Sequence, residues 1–268
     1  MEKDFNNSAF SKVPPLEARP DESVGRGFRE AYTLHLADTT LILSQRNSEC
    51  CGHGPILEQD IAITNISLDL IGQARNFYQY VALLIGNADE DQLAYLRTER
   101  EFKNLLLVEQ PNINWGQTIL RQYLFSQFQL LLYLQLQNHT DEQLAAIATK
   151  ALKETTYHLR WSSEWVIRLG DGTEESHTKM LHAIDELWRY TGELFIPSAY
   201  ETACGIDVAA LQEDWMQNVI QIFREATLPV PVNTFMQTGG KEGIHTEHLG
   251  YILTELQYLQ RTYPGAKW

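Results

Sequence analysis

Cysteine is scarce in this sequence. Three occur among 268 residues: Cys50, Cys51 and Cys204. An odd number with one adjacent pair offers no disulfide framework, and the pair lacks the two-residue gap of a redox or zinc motif. A reducing compartment, the cytosol, is therefore expected. Long apolar runs are lacking too. None reaches the length of about 18 residues needed to cross a bilayer, and the N-terminus has no apolar leader segment. Neither a membrane span nor a signal peptide is expected. Basic residues are in deficit: 21 Lys and Arg stand against 35 Asp and Glu, a net charge of −14. That excludes a broad face for nucleic acid or anionic lipid, and an anionic ligand would need a local basic patch. Strand-like alternation does not persist, and no repeat is evident. Nucleophile elbow, phosphate loop and dinucleotide fingerprint are all absent.

What is present is helical. Hydrophobic residues make up 44% of the chain, enough for a sizeable core in one large helical domain or two small ones. Residues 1–27 are polar and hold Pro14, Pro15 and Pro20, which predicts a flexible tail ahead of a helical domain over 28–268. Helical periodicity starts near residue 28 and again at 57. A shorter helix is expected over 89–107. Asn114 and Asp141 are placed to cap two further long helices, ending near Asn138 and Leu169. Shorter helices are predicted near 174–195, 207–226 and 246–262. Four long helices with short connections predict an all-α fold, a four-helix bundle with additional packed helices.

Each long helix carries polar residues on its predicted inner stripe. Leu34, Asp38 and Leu41 share a face by helical spacing. So do Ala62, Asn65, Ile66, Asp69 and Gln73; Ile119, Tyr123, Ser126, Leu130 and Tyr133; and Ala151, Thr155, His158 and Ser162. Buried polar groups left unpaired cost about 1–3 kcal/mol each, so four at similar depth predict one shared network. This layout is where di-iron bundles hold metal, using a Glu from each of two helices and a Glu-x-x-His from each of the others. Here the corresponding positions read Asp38, Asp69 with Gly72, Ser126, and Thr155 with His158. Two carboxylates and one imidazole do not make a di-iron site, and core polar residues are the plainer expectation.

Other clusters are weaker. Glu242, His245 and His248 stand within seven residues and follow Lys241, but glycines place them on a loop. Metal or ligand contact there competes with a structural role. Arg97, Arg100 and Lys103 make a basic ridge if the predicted helix is continuous; a phosphate-bearing ligand competes with a solvated face. Glu154 lies one helical turn from His158. Cys50, Cys51 and His53 are adjacent in sequence without the geometry of a nucleophile and its base.

The segments LSQRNSECCGHGPILEQDIAITNISLDLIGQARNFYQYVA, NLLLVEQPNINWGQTILRQYLFSQF and TGGKEGIHTEHLGYILTELQYLQRTYPGAKW resemble the C-subunit family of the bacterial ring-1,2-phenylacetyl-CoA epoxidases. The resemblance covers residues 28–268. It implies a ferritin-like fold and a non-catalytic structural subunit with no catalytic residue and no cofactor of its own. It further implies pairing with a paralogous A subunit that holds the di-iron site, a bridging B subunit, and a reductase component carrying flavin, an iron–sulfur cluster and electrons from NADPH. The competing readings are a bundle that binds its own metal as an oxidoreductase, and a stand-alone ligand-binding bundle.

Overall fold

The computed structural model describes residues 22–232 and 234–266. Its helices are α1 (Glu22–Ser48), α2 (Leu57–Ile85), α3 (Glu90–Tyr95), α4 (Trp115–Leu136), α5 (Glu142–Gly170), α6 (Glu174–Leu187), α7 (Ala199–Ala203), α8 (Gln212–Glu225), α9 (Glu247–Leu256) and α10 (Tyr258–Thr262). No strand occurs among the described residues. The expected tail over 1–27 lies outside the described residues up to position 21. From Glu22 the chain is already helical, six residues earlier than the periodicity indicates.

The long helices start and stop where local chemistry dictates. Asn114 accepts a hydrogen bond from the Gln117 N–H at 3.1 Å, and Asp141 accepts from the N–H groups of Gln143 and Leu144. Both caps satisfy donors that the first turn leaves open. Gly86, in the left-handed region at φ 86°, closes α2 with its N–H on the Ala82 carbonyl.

α1 packs along α2, and α4 along α5. These two hairpins meet where α2 touches α5 and where Asn47 on α1 donates to Gln122 on α4 at 2.6 Å. α4 is the most enclosed helix: every residue from Gly116 through Gln129 is buried. Its other side is covered by α6 and α8, where Tyr123, Trp188, Phe195, Trp215 and Phe223 form a continuous aromatic cluster.

The predicted helix over 89–107 does not form as one element. Helical structure stops at Tyr95 and returns only as single turns at Glu99–Glu101 and Leu106–Glu109. The backbone between them finds other acceptors. Lys103 N–H donates to Asp38, Leu105 N–H to the Thr39 hydroxyl and Leu106 N–H to Glu193, while the Lys103 carbonyl meets His35 Nδ1 at 2.7 Å. Side chains of α1 therefore supply most of the bonds a helix would have made, and the segment crosses α1 extended. The other short helices shrink likewise. α6 gives way to single turns at 188–190 and 192–195, α8 begins only at Gln212, and the C-terminal run divides into α9 and α10. Among the described residues no helix is long and apolar enough to cross a membrane.

Candidate functional site

The interior of the bundle separates the mid-helix polar residues into four groups. Asp38 is fully buried and accepts from the Tyr78 hydroxyl at 2.6 Å, the Lys103 N–H at 2.8 Å and the Arg97 guanidinium, whose Nη1 lies 3.1 Å from Oδ2. Arg97 also caps the end of α3 by donating to the Leu93 carbonyl, and its guanidinium lies 4.3 Å from the centre of the Phe102 ring. Burial, and then the charge of Asp38, hold the Tyr78 hydroxyl far above its ordinary pKa. It therefore stays a donor.

Ser126 belongs to a second group. It accepts from Gln122, which accepts in turn from Asn47. Beside them Arg121 is completely enclosed and donates to the Gln110 carbonyl and to the side-chain oxygens of Asn112 and Asn47. Burial lowers its pKa to about 10, so the charge persists at neutral pH. A third group joins Gln129, which donates to the Gln73 oxygen at 3.0 Å, with Tyr133, Thr155 and Glu154. The fourth is a pair: His158 Nε2 meets Asp69 Oδ2 at 3.0 Å. The one shared network expected at a common depth is not formed. Thr155 and Ser126 answer glutamines of α4, and Ser162 donates to the His158 carbonyl one turn back.

Three of the four predicted stripes point inward. The second is rotated. Ala62, Ile66 and Gln73 are buried, but Asn65 and Gly72 are exposed and Asp69 is only partly covered. Among the described residues, none outside its own stretch of helix comes within 4 Å of where a Gly72 Cβ would stand. It is an outward position, not a lost interior ligand. The Glu154–His158 pairing across one turn is also absent, since Glu154 takes a hydrogen bond from Gln73.

The loop cluster comes apart as well. His245 is enclosed, with Nδ1 2.9 Å from Glu109 Oε2 and Nε2 2.9 Å from the Phe102 carbonyl. Two oxygen partners favour the doubly protonated imidazole, in which both ring nitrogens donate. Burial opposes that charge, but Glu109 and the Phe102 carbonyl outweigh it and raise the pKa. Glu109 further accepts from the N–H and hydroxyl of Thr246 and from Asn104. Lys241 turns inward to Glu201 at 2.9 Å, which also faces His35. Glu242 is exposed and His248 half-buried. The basic ridge is not a ridge. Arg97 is committed to Asp38, Lys103 lies over the Tyr200 ring, and of the three only Arg100 is exposed.

Cys50 faces Thr118, Cys51 accepts from Thr64, and His53 turns to the Cys51 carbonyl, so no thiol meets a base there. The buried carboxylates Glu109, Glu193 and Glu201 escaped the sequence reading. Glu109 carries a signal: it directly follows the apolar run Leu105–Val108. Among the described residues, no three His, Cys, Asp or Glu side chains converge so that they could hold a metal ion. The cavity lined by His35, Thr39, Gln129 and Tyr133 measures about 10 Å³, room for a single water.

A ferritin-like, all-α helical bundle is the class this fold defines. Its sequence places it further: residues 19–268 match the family model described as phenylacetic acid catabolic protein, and the chain belongs to that family. It is 52% identical over 243 residues to the C subunit of the 1,2-phenylacetyl-CoA epoxidase of Escherichia coli (strain K12), across 89% of this chain and 98% of that protein.

Proposed function

We propose that this chain is a non-catalytic, structural subunit of a phenylacetyl-CoA 1,2-epoxidase complex. In that role it pairs with a di-iron catalytic subunit and stabilises it. The observation that carries this reading is the fate of Asp38 and His158. Each is an interior mid-helix residue of a type that can bind metal, and each is held by the protein's own groups, Asp38 by a guanidinium, a phenol and a backbone N–H, His158 by Asp69. A cation is already in place against the buried carboxylate, so the fold keeps its charge balance with no metal ion. The likeness to the C subunit of an epoxidase supports the choice of complex.

Under this reading the chain carries no cofactor. Iron resides in the catalytic partner, and flavin, iron–sulfur cluster and NADPH belong to a reductase component. The assembly also includes a B subunit and works in the cytoplasm. The test is to purify this chain and the catalytic subunit separately and together, and to measure iron and epoxidation in each. Iron and full activity are expected only where the catalytic subunit is paired with this chain. Stoichiometric iron in this chain alone, or full activity with stable iron in the catalytic subunit alone, would overturn the proposal.

A further inference from the structure

α2 is apolar on two sides. Its inner side, with Ile63, Ile66, Leu70, Phe77 and Val81, is buried against the bundle. Its outer side carries Leu57, Ile61, Leu68, Ile71 and Leu83, all exposed; Leu57 is 70% accessible, Leu68 60% and Leu83 76%. At 100° per residue these five fall within about one third of the helix circumference; Leu57, Ile61, Leu68 and Ile71 run for about 21 Å along its axis, and the exposed Arg75 and Gln79 on the same arc separate them from Leu83. A surface helix of a globular protein ordinarily has one apolar stripe, and one that is apolar all round is ordinarily buried. α5, on the other hairpin, follows the ordinary rule, with Lys150, Lys153, Arg160 and Glu164 on its solvent side.

Two further features mark the outer face of α2 as a seat for another helix. Gly72 lies on it beside Leu68 with open space around it. A glycine in mid-helix costs about 1 kcal/mol against alanine, and among the described residues none outside its own stretch of helix fills the room it leaves. Alongside, α2 and α3 border a groove of about 340 Å³, lined by Ile71, Ala74, Arg75, Tyr78 and Tyr95. The charges around this surface are predominantly negative. α2 and α3 hold five carboxylates, Glu58, Asp60, Asp69, Glu90 and Asp91, against one cation, Arg75, which Glu90 already pairs at 2.9 Å.

We propose that the outer face of α2 seats a helix of the catalytic partner, an apolar ridge flanked by lysine and arginine. The charge selects this occupant over a second copy of the chain, because two copies meeting on this face would set like excesses of carboxylate against each other. The inference rests on the pairing argued under the proposed function and adds the surface that does it.

The test uses the full chain, tagged and co-expressed with the catalytic subunit. Leu68→Arg places a charge in the middle of the stripe, and because Leu68 is exposed the free chain should melt as before. Its retention of the catalytic subunit should fall roughly 100-fold or more, as expected for a charge forced into a desolvated interface. Lys153→Glu on α5 should leave retention unchanged. If Leu68→Arg retains the partner as the unaltered chain does, the surface is wrong while the pairing stands. If the unaltered chain retains no catalytic subunit, the pairing fails and the surface with it. A photo-crosslinking phenylalanine placed at position 68 should join the chain to the catalytic subunit. Crosslinks to a second copy, to the B subunit or to residues 1–21 would each overturn the assignment.

Discussion

Replacing Arg97 by methionine tests the charge balance at the centre of the bundle. The substitution keeps most of the aliphatic stem against Phe102 but removes the guanidinium from a carboxylate that no water reaches. Breaking a buried ion pair from one side costs about 3–5 kcal/mol. Asp38 keeps two donors, the Tyr78 hydroxyl at 2.6 Å and the Lys103 N–H at 2.8 Å, which places the loss at the lower end, about 3 kcal/mol. For a chain of this size that corresponds to a melting temperature lower by about 6–12 °C. Part of the loss comes from the carbonyls of Leu93 and Glu101, which Arg97 also serves. The double variant Asp38→Asn with Arg97→Met separates the two contributions, since it removes the stranded charge and leaves those carbonyls unserved. Thermal and urea unfolding of all four proteins gives the coupling directly. About 1.5 kcal/mol or more of recovery in the double variant is expected. A loss under about 1 kcal/mol in Arg97→Met, or additive losses in the double variant, would refute the claim that Arg97 neutralises Asp38.

His245 sets a pH dependence. Its pKa is raised in the folded protein, so its contribution is complete below about pH 6.5, the ordinary value, and is lost as pH rises through the folded value. Urea unfolding of the unaltered chain should therefore show a stability decline above about pH 6.5 that His245→Gln lacks; equal slopes would count against the ion pair with Glu109. At Gly243, with φ 76°, an added Cβ would meet the Arg100 carbonyl oxygen at 2.3 Å. Gly243→Ala should cost about 2–4 kcal/mol and show its earliest loss of hydrogen-exchange protection in α9. A neutral effect would mean the loop can move aside. Gly72→Ala, in contrast, should raise the melting temperature of the isolated chain, by up to about 1 kcal/mol of added helix stability; a clear destabilisation would show that the position is packed after all.

The helices were legible because their signals are local. Asn114, Asp141 and Gly86 act within one turn, and the apolar stripe of α5 had a single way to face. The helix expected over 89–107 failed because its backbone donors were captured by Asp38, Thr39 and Glu193, residues 65 to 87 positions away. The rotation of α2 was ambiguous for a related reason. A helix apolar on both sides does not say which side is the core, and the wrong choice put Gly72 inside.

From its residues alone, then, this chain reads as an all-α bundle with two carboxylates and one imidazole at the mid-helix positions, and its match to the phenylacetic acid catabolic family gives it its place. Periodicity, capping and residue type suffice for the bundle, because each is read along the chain. Tertiary structure alone decided what the remaining polar groups do. Asp38 meets Arg97 59 positions away, His158 meets Asp69 at 89, and His245 meets Glu109 at 136. A buried charge takes whatever partner the packing brings within about 3 Å, and no pattern along the sequence carries that distance.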